Sequence, residues 1–168
     1  MTGAMSQISE RVATLRHEFD AGFGRPPAAD AVAMVDLLAI RLGPQEFALR
    51  LSEIAGLHAG KTIAPVPGGG IALLGIAGFR GAIVPVYDLR KLVTHSASDH
   101  ARWLVVAADV PIAFAFDGFE RQLRVPADRI TLQHTQAREH HCTKDFVQID
   151  SVLCPIVHLP SVVGSIKS

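Results

Sequence analysis

The sequence predicts a mainly β protein, built as a barrel or a pair of barrels with helices only at its margins. Two observations favour this fold class. Between residues 35 and 159, short apolar runs of strand length are separated by turns rich in Gly, Pro and Asp. Of the 168 residues, 49% are hydrophobic and only 19% are charged, so the chain can bury a sizeable core rather than remain disordered.

The charge balance narrows the classes of function. Sixteen basic residues match sixteen acidic ones, and a general nucleic-acid binder needs a basic excess, so no nucleic-acid partner is predicted. The longest apolar runs, such as Trp103 to Ala108, are far shorter than a membrane span, so direct membrane insertion is not predicted either. The chain has two cysteines and shows no signal peptide, which predicts reduced thiols and a cytoplasmic location.

The first part of the chain differs from the rest. Apolar residues recur there at helical spacing: Ile8, Val12, Leu15 and Phe19. Glycine and proline residues between positions 22 and 27 end this helix. We therefore predict an N-terminal helical extension over residues 1–34 and a β domain over residues 35–168. The helix either packs on that domain or binds a partner through its apolar face.

The β domain begins with a hairpin and continues with alternating strands. Segments 36–42 and 46–51 are predicted as strands joined by the Gly43-Pro44 turn, and the second alternates as a half-buried strand should. In segment 112–116 large and small residues alternate, so three large side chains should point into one core. Further strands are predicted over these segments: 102–108, 119–125, 146–150 and 152–159.

One turn presents a single positive charge. Arg80 lies between Phe79 and Gly81, with apolar runs on both sides. This pattern predicts a strand pair whose turn holds the guanidinium group at the surface. No residue of this stretch suggests catalysis, so we interpret the turn as a rigid platform for one cation.

The strand after this turn carries three further predictions. Its apolar residues should be buried: Ile83, Val84 and Val86. Pro85 lacks a backbone N–H and therefore suits an edge or a bulge rather than the middle of a sheet. Asp88 suits the cap of a short helix that follows.

Two segments that lie 70 residues apart resemble each other. Ala82–Leu89 and Val152–Leu159 align with Pro85 over Pro155, and apolar residues match apolar residues along both segments. The repeat predicts two similar small barrels side by side, with a groove between them as a natural binding site. A chance match between two β-strands is the alternative.

The segment Leu74–Arg90 closely resembles the central motif of CheW-like domains, L-G-x-x-N-L-R-G-x-x-x-P-V-x-D-L. The flanks agree with this resemblance. Leu38–Leu49 is similar to the family's opening hairpin, and Val125–Ile130 is similar to its Val-Pro-x-x-x-Ile segment. The resemblance extends over about residues 36–163 and leaves the first 35 residues outside it.

The resemblance implies two SH3-like five-stranded β-barrel subdomains packed together. It also implies an adaptor rather than an enzyme, which couples chemoreceptors to a histidine kinase in a chemotaxis or chemosensory-like pathway. That pathway is either flagellar or one that serves type IV pili or gliding. The implied partners are the regulatory domain of a chemotaxis-type histidine kinase and the cytoplasmic tip of a chemoreceptor. No cofactor is implied.

The resemblance further implies a partner-binding site at the motif: Gly78, Phe79, Arg80, Gly81 and Asp88. A fixed arginine at a turn offers five donors to carboxylates or backbone carbonyl groups on a helix tip. Three positions depart from the family pattern. Gly78 replaces the usual Asn, so the turn lacks a side-chain hydrogen bond, and Phe79 replaces the usual Leu. His158 stands where the second copy of the repeat would have Asp.

The main alternative is a small zinc protein or a hydrolase that uses a cluster of His and Cys residues between positions 134 and 154. Its members are His134, His140, His141, Cys142 and Cys154. Most of them lie in the polar window 133–144, which is predicted to be a loop. Neither a Cys-x-x-Cys pair nor a Gly-x-Ser-x-Gly motif is present, so no metal ligand and no catalytic residue is predicted.

Overall fold

The structure is a computed structural model that describes residues 31–132 and 142–168. Residues 33–168 form one compact unit. Its strands have these bounds: β1 (Met34–Leu42), β2 (Gln45–Arg50), β3 (Ile54–Ala59), β4 (Leu73–Phe79), β5 (Ala82–Asp88), β6 (Trp103–Ala107), β7 (Ala113–Phe116), β8 (Gly118–Pro126), β9 (Ile130–Leu132), β10 (Thr143–Ile149) and β11 (Val152–Val157). Two α-helices belong to the same unit, α1 (Leu89–Thr94) and α2 (Leu159–Lys167). The prediction of a mainly β fold is confirmed, and residues 1–30 of the predicted helical extension lie outside the described residues.

The strands form two sheets, which we name barrel 1 and barrel 2. Barrel 1 has the strand order β8-β1-β2-β11-β10-β9, and barrel 2 has the order β3-β6-β7-β5-β4. Barrel 2 has the five strands expected, whereas barrel 1 has six because a 3-10 turn at Ala127–Arg129 separates β8 from β9. The chain leaves barrel 1 after β2, builds all of barrel 2 and returns at β8. Barrel 2 is therefore inserted into barrel 1 rather than following it.

The internal repeat corresponds to two equivalent strands. β5 is antiparallel to β4 and parallel to β7, and β11 is antiparallel to β10 and parallel to β2. Each parallel ladder begins one residue after a proline, at Val86 after Pro85 and at Ile156 after Pro155. β5 is an interior strand of its sheet, but its parallel ladder to β7 does not extend to Pro85. Pro85 therefore has a neighbouring strand on one side only, as the predicted edge position requires, and its missing N–H removes no bond from the ladder to β7.

Three apolar clusters of described residues hold the unit together. One fills barrel 1 and another fills barrel 2. The third lies between the barrels and takes Phe47 and Leu49 from barrel 1 and Phe114 and Phe116 from barrel 2. Burying each of these side chains fully contributes about 1.5–3 kcal/mol. The interface in which a groove was predicted is therefore filled with apolar side chains along this cluster.

The alternation predicted for segment 112–116 is confirmed, but its other face is buried as well. Phe114 and Phe116 enter the cluster between the barrels, whereas Ala113 and Ala115 pack inside barrel 2. Strand β2 behaves in the same way and is not half-exposed as predicted, because Ala48 packs inside barrel 1. Both strands separate a barrel interior from the interface, so neither has a solvent face along these residues.

The chain crosses from barrel 1 to barrel 2 at an acidic residue that accepts hydrogen bonds from both barrels. Glu53 ends the 3-10 turn Leu51–Glu53, which leads from β2 to β3. Its carboxylate accepts a hydrogen bond from the backbone N–H of Leu159 at 2.9 Å, and its carbonyl group accepts one from Ala108 at 2.9 Å. The first bond reaches the start of α2 in barrel 1, and the second reaches the β6–β7 turn of barrel 2.

The second crossing between the barrels also carries an acidic residue that is bonded to both barrels. Asp117 lies between β7 and β8, and its carboxylate accepts a hydrogen bond from the backbone N–H of Gly43 at 2.5 Å. The hydroxyl group of Ser98 donates to the same carboxylate, and the guanidinium group of Arg90 lies 3.6 Å away. Gly43 belongs to barrel 1, whereas Ser98 and Arg90 belong to barrel 2. The two crossings therefore restrain the barrels relative to each other.

Candidate functional site

The predicted arginine turn is the tip of the β4–β5 hairpin. Phe79 pairs with Ala82 at the end of the ladder, which leaves Arg80 and Gly81 as a two-residue turn. Both turn residues have positive φ, 47° at Arg80 and 82° at Gly81, which is the backbone geometry that matches the twist of a tight hairpin. Arg80 is exposed, so the prediction of a surface cation at a turn is confirmed.

Phe79 lies beneath this turn. It is 7% exposed and packs in the apolar cluster of barrel 2. Its ring lies against the ring of His58, with centroids 4.8 Å apart, and the Nζ atom of Lys61 lies 5.4 Å from its centroid. Phe79 therefore offers little surface to a partner, and its contacts instead support the basic side chains around the turn.

Lys61 is a candidate residue that sequence reasoning missed. Its Nζ atom donates a hydrogen bond to the carbonyl group of Gly78 at 3.3 Å while it stays over the ring of Phe79. These contacts form because the chain after β3 folds back along β4, where the backbone groups of Ala64 and Ile76 exchange hydrogen bonds of 2.8 and 2.9 Å. No local motif around Lys61 indicates this placement.

Gly75 lets that segment approach β4. Its φ is 151°, and a Cβ atom at this position would lie 2.1 Å from the carbonyl oxygen of Ala64. A glycine is therefore required for the hydrogen-bonded bridge between Ala64 and Ile76. The same bridge holds the segment that carries Lys61 against the hairpin.

The surface around the turn is basic. Lys61 and Arg80 are both exposed, and within residues 31–132 and 142–168 neither forms an ion pair. In barrel 1, by contrast, Arg41 pairs with Glu120 at 2.8 Å. Burial lowers the pKa of His58 from its ordinary value of 6.5, and the charges of Lys61 and Arg80 lower it further. The imidazole is therefore neutral at pH 7, and the positive charge of this surface comes from the lysine and the arginine.

Ile83 adds an apolar side chain to this region. It pairs with Gly78 in the β4–β5 ladder and is 74% exposed, so the prediction that it is buried is wrong. The reason is strand alternation, because Val84 and Val86 are buried on one face of β5 and Ile83 lies on the opposite face. We name Lys61, Gly78, Arg80, Gly81 and Ile83 the Arg80 surface.

The two glycines of the Arg80 surface differ in whether the structure requires a glycine at that position. Gly81 has a φ of 82°, which residues other than glycine adopt at an energetic cost. Gly78 has no such φ, and no atom lies within 4 Å of the place where a Cβ would stand. The departure from the family's Asn at position 78 is therefore not imposed by packing.

Asp88 lies inside the protein. It is 2% exposed, and it caps α1 by accepting a hydrogen bond from the N–H of Lys91 at 3.2 Å. Its second oxygen accepts one from the N–H of Ser98 at 2.8 Å. The capping prediction is confirmed, and this geometry supports a structural role for Asp88 rather than contact with a partner.

In the second copy of the repeat, His158 takes the position of Asp88 but does not cap the following helix through its side chain. His158 caps α2 with no side-chain bond to the helix backbone, and its Nδ1 atom instead lies 2.6 Å from the hydroxyl oxygen of Ser161. The carboxylate at this helix start is that of Glu53, whose other oxygen lies 3.7 Å from the Nε2 atom of His158. Glu53, at the first crossing between the barrels, therefore supplies the carboxylate that an Asp at position 158 would have supplied.

The alternative His and Cys cluster is described only in part. His134, His140 and His141 lie outside the described residues, while Cys142 packs between the barrels and Cys154 packs inside barrel 1. Burial raises the pKa of both thiols, that of Cys154 to about 12, so the thiolate form that binds zinc is disfavoured. Within the described ranges no three His, Cys, Asp or Glu residues come together as a metal site. The loop predicted over 133–144 is wrong at its end, because β10 begins at Thr143.

Two concave features lie away from the Arg80 surface. A cavity of about 110 Å³ lies at the rim of the interface, between the β6–β7 turn and α2. An open groove of about 810 Å³ runs along barrel 1 and is lined by Asp128, Arg129, Thr131, Gln148, Asp150, Ser151 and Leu153. In the described part of the chain, the helices are too short or too polar to cross a membrane.

Two barrels with a shared core, and an exposed basic turn at the tip of one of them, define a double-barrel fold. Comparison with known families identifies it further. The CheW-like domain family matches residues 36–167. The chain therefore belongs to the CheW-like domain family.

Individual relatives agree with this assignment. A chemotaxis protein CheW from Thermotoga maritima is 23% identical over 141 residues, which cover 82% of this chain and 93% of that protein. A probable chemotaxis protein CheW from Rhizobium etli is 29% identical over 76 residues, and a chemotaxis protein CheW from Rhizobium meliloti is 28% identical over 76 residues. These two alignments cover 45% of this chain and 49% of each Rhizobium protein.

A solved structure shows the same fold. The crystal structure of the scaffolding protein TtCheW from Thermoanaerobacter tengcongensis superposes with a TM-score of 0.67 at 14% sequence identity. The match covers 74% of this chain and 89% of that chain.

Proposed function

We propose that the protein is a cytoplasmic scaffold, without catalytic activity of its own, that couples chemoreceptors to a chemotaxis-type histidine kinase. Membership of the CheW-like domain family and the names of the relatives from Thermotoga maritima and Thermoanaerobacter tengcongensis support this proposal. The structural observation that carries it is the Arg80 turn. An exposed cation without an ion-pair partner among the described residues stands there on a rigid hairpin tip.

The turn is suited to protein recognition because its backbone is already fixed. A two-residue turn with positive φ at both positions has little freedom left to lose when a partner binds. The guanidinium group offers five donors in a planar fork, which matches a carboxylate or the free carbonyl groups at the end of a helix. We assign Arg80 to the surface that meets either the kinase regulatory domain or the receptor tip.

Binding of both candidate partners tests the proposal. The full chain is titrated calorimetrically with the purified regulatory domain of the cognate kinase and, separately, with a fragment of the receptor tip. We expect Arg80→Glu to weaken at least one association tenfold or more, because the reversed charge repels the partner's carboxylates. Arg129→Glu is the matched control, since Arg129 is an exposed arginine on barrel 1.

Two results would contradict the proposal at different levels. If the wild-type chain bound neither fragment, the scaffold function would be wrong. If Arg80→Glu left both affinities at the wild-type level, the function would stand and the assignment of Arg80 would be wrong. The receptor whose tip binds also decides between a flagellar pathway and one that serves type IV pili or gliding.

A further inference from the structure

Lys61 is held at the Arg80 surface by two separate contacts. Its Nζ atom donates to the carbonyl group of Gly78 at 3.3 Å and stands over the ring of Phe79, 5.4 Å from the centroid. A lysine side chain normally has several rotatable bonds free in solvent, and immobilising it has an entropic cost. Here that cost is met in the unbound protein, so the ammonium group is already in place when a partner arrives.

The Arg80 surface keeps its charges unneutralised, unlike five arginines elsewhere in the unit. Several arginines pair with a carboxylate: Arg41, Arg50, Arg90, Arg121 and Arg124. Within residues 31–132 and 142–168, Lys61 and Arg80 have no such pair. Two like charges on one small surface repel each other, and a partner that brought carboxylates would relieve this repulsion.

Lys61 and Arg80 lie close to the same residues of barrel 2. Both lie close enough to His58 for their charges to lower the pKa of its imidazole. Lys61 reaches the carbonyl group of Gly78, and Arg80 lies two residues further along the same hairpin. Their positive charges therefore add in one place instead of standing at opposite sides of barrel 2.

We propose that Lys61 is a second specificity-determining residue of the Arg80 surface, and that this surface recognises a protein segment presenting at least two carboxylates. This inference rests on the proposed function, because it concerns the same binding surface.

The test compares two substitutions of Lys61 in the full chain. Lys61→Met keeps an apolar stem against Phe79 and removes the charge, while Lys61→Arg keeps a cation. Affinity is measured calorimetrically at two salt concentrations, with whichever fragment, the kinase regulatory domain or the receptor tip, the wild-type chain binds. Lys144→Met serves as the control, because Lys144 is an exposed lysine on β10 of barrel 1.

We expect Lys61→Met to bind about tenfold more weakly than the wild type and to show a smaller loss of affinity with added salt. Lys61→Arg and Lys144→Met should both bind within twofold of the wild type. The inference is overturned if Lys61→Met binds like the wild type while Arg80→Glu does not, and the proposed function then stands. It is also overturned if Lys61→Arg binds as weakly as Lys61→Met, because the effect would then not come from charge. Failure of the wild-type chain to bind either fragment would instead reject the proposed function itself.

Discussion

Arg80 and Asp150 occupy the same position in two equivalent hairpins, one in each barrel. Each is the first residue of a two-residue turn, with φ of 47° at Arg80 and 46° at Asp150, followed by a residue that also has positive φ. Asp150 pairs with Arg121 at 2.5 Å, whereas Arg80 has no ion pair among the described residues. Asp is common at such a position, while arginine is not, so the sequence of barrel 2 accepts backbone strain to present a cation.

Arg80→Asn should stabilise the protein and weaken its binding at the same time. Asn-Gly is the preferred pair for a turn with two positive φ values, so the free energy of unfolding should rise by about 0.5–1 kcal/mol. The loss of the guanidinium group should reduce affinity for the kinase or receptor fragment. Urea unfolding and calorimetric titration measure the two effects. A variant that is less stable than the wild type would show that position 80 carries no strain.

Gly75→Ala should destabilise the protein by about 1–3 kcal/mol or more, the range for overpacking a core. The added methyl group would stand 2.1 Å from the carbonyl oxygen of Ala64, a backbone atom that cannot turn away. Gly78→Ala is the control, because its Cβ would meet no atom within 4 Å, and its effect should stay within about 0.5 kcal/mol. Thermal or urea unfolding of both variants decides the matter, and equal stabilities would contradict the role assigned to Gly75.

Glu53→Ala should cost about 1–2 kcal/mol, comparable to the loss of a helix cap. The substitution leaves the N–H of Leu159 at the start of α2 without the partner that now lies 2.9 Å away. Glu53→Gln retains an acceptor oxygen and should cost less. Urea unfolding gives the stabilities, and hydrogen exchange at the amide of Leu159 should accelerate in Glu53→Ala.

Glu120→Ala is the control for this series, since its ion pair with Arg41 is exposed and should contribute less than about 1 kcal/mol. A loss in Glu120→Ala as large as that in Glu53→Ala would contradict the capping role.

Stability should fall at acid pH through His58. Burial, followed by the charges of Lys61 and Arg80, lowers the pKa of this residue below 6.5 in the folded protein. The unfolded chain therefore binds a proton more readily, so this contribution is complete above pH 6.5 and is lost as pH falls from 6.5 through the folded-state pKa. In His58→Phe, which retains a ring against Phe79, stability should depend less on pH between 7.5 and 5, where other groups contribute equally to both proteins.

The pKa of His58 itself can be followed by NMR titration. Lys61→Met and Arg80→Gln should each raise the pKa of His58 towards 6.5, because each removes a positive charge that opposes its protonation. A folded-state pKa of His58 at or above 6.5 in the wild type would contradict this account.

Local features of the site were predictable because they depend on neighbours in sequence. The Arg80-Gly81 turn follows from the residues themselves, and so does the cap at Asp88, whose side chain bonds to a backbone group three residues ahead. The burial of Ile83 was predicted wrongly because a continuous apolar run does not show which face of a strand meets the core. Ile83 lies on the face of β5 opposite the buried Val84 and Val86.

Long-range features were not predictable from one sequence. Lys61 joins the Arg80 surface only after the chain around Ala64 has bridged to β4, and no spacing rule encodes that bridge. The cap that Glu53 provides for α2 connects residues 106 positions apart. The internal repeat indicated which strands are equivalent, but it could not show that one barrel is inserted into the other.

The insertion of barrel 2 also sets the order in which the two barrels can fold during translation. All five strands of barrel 2 lie in one continuous stretch, from Ile54 to Phe116, so this barrel can complete itself while the rest of barrel 1 has not yet been synthesised. The β1–β2 hairpin is synthesised before barrel 2 but must wait for β11, the parallel neighbour of β2, which is synthesised after barrel 2. We expect barrel 2 to be protected against proteases in stalled nascent chains from which Phe116 has left the ribosome exit tunnel but β11 has not, while β1 and β2 remain sensitive. The first strands to be synthesised would then be among the last to be protected.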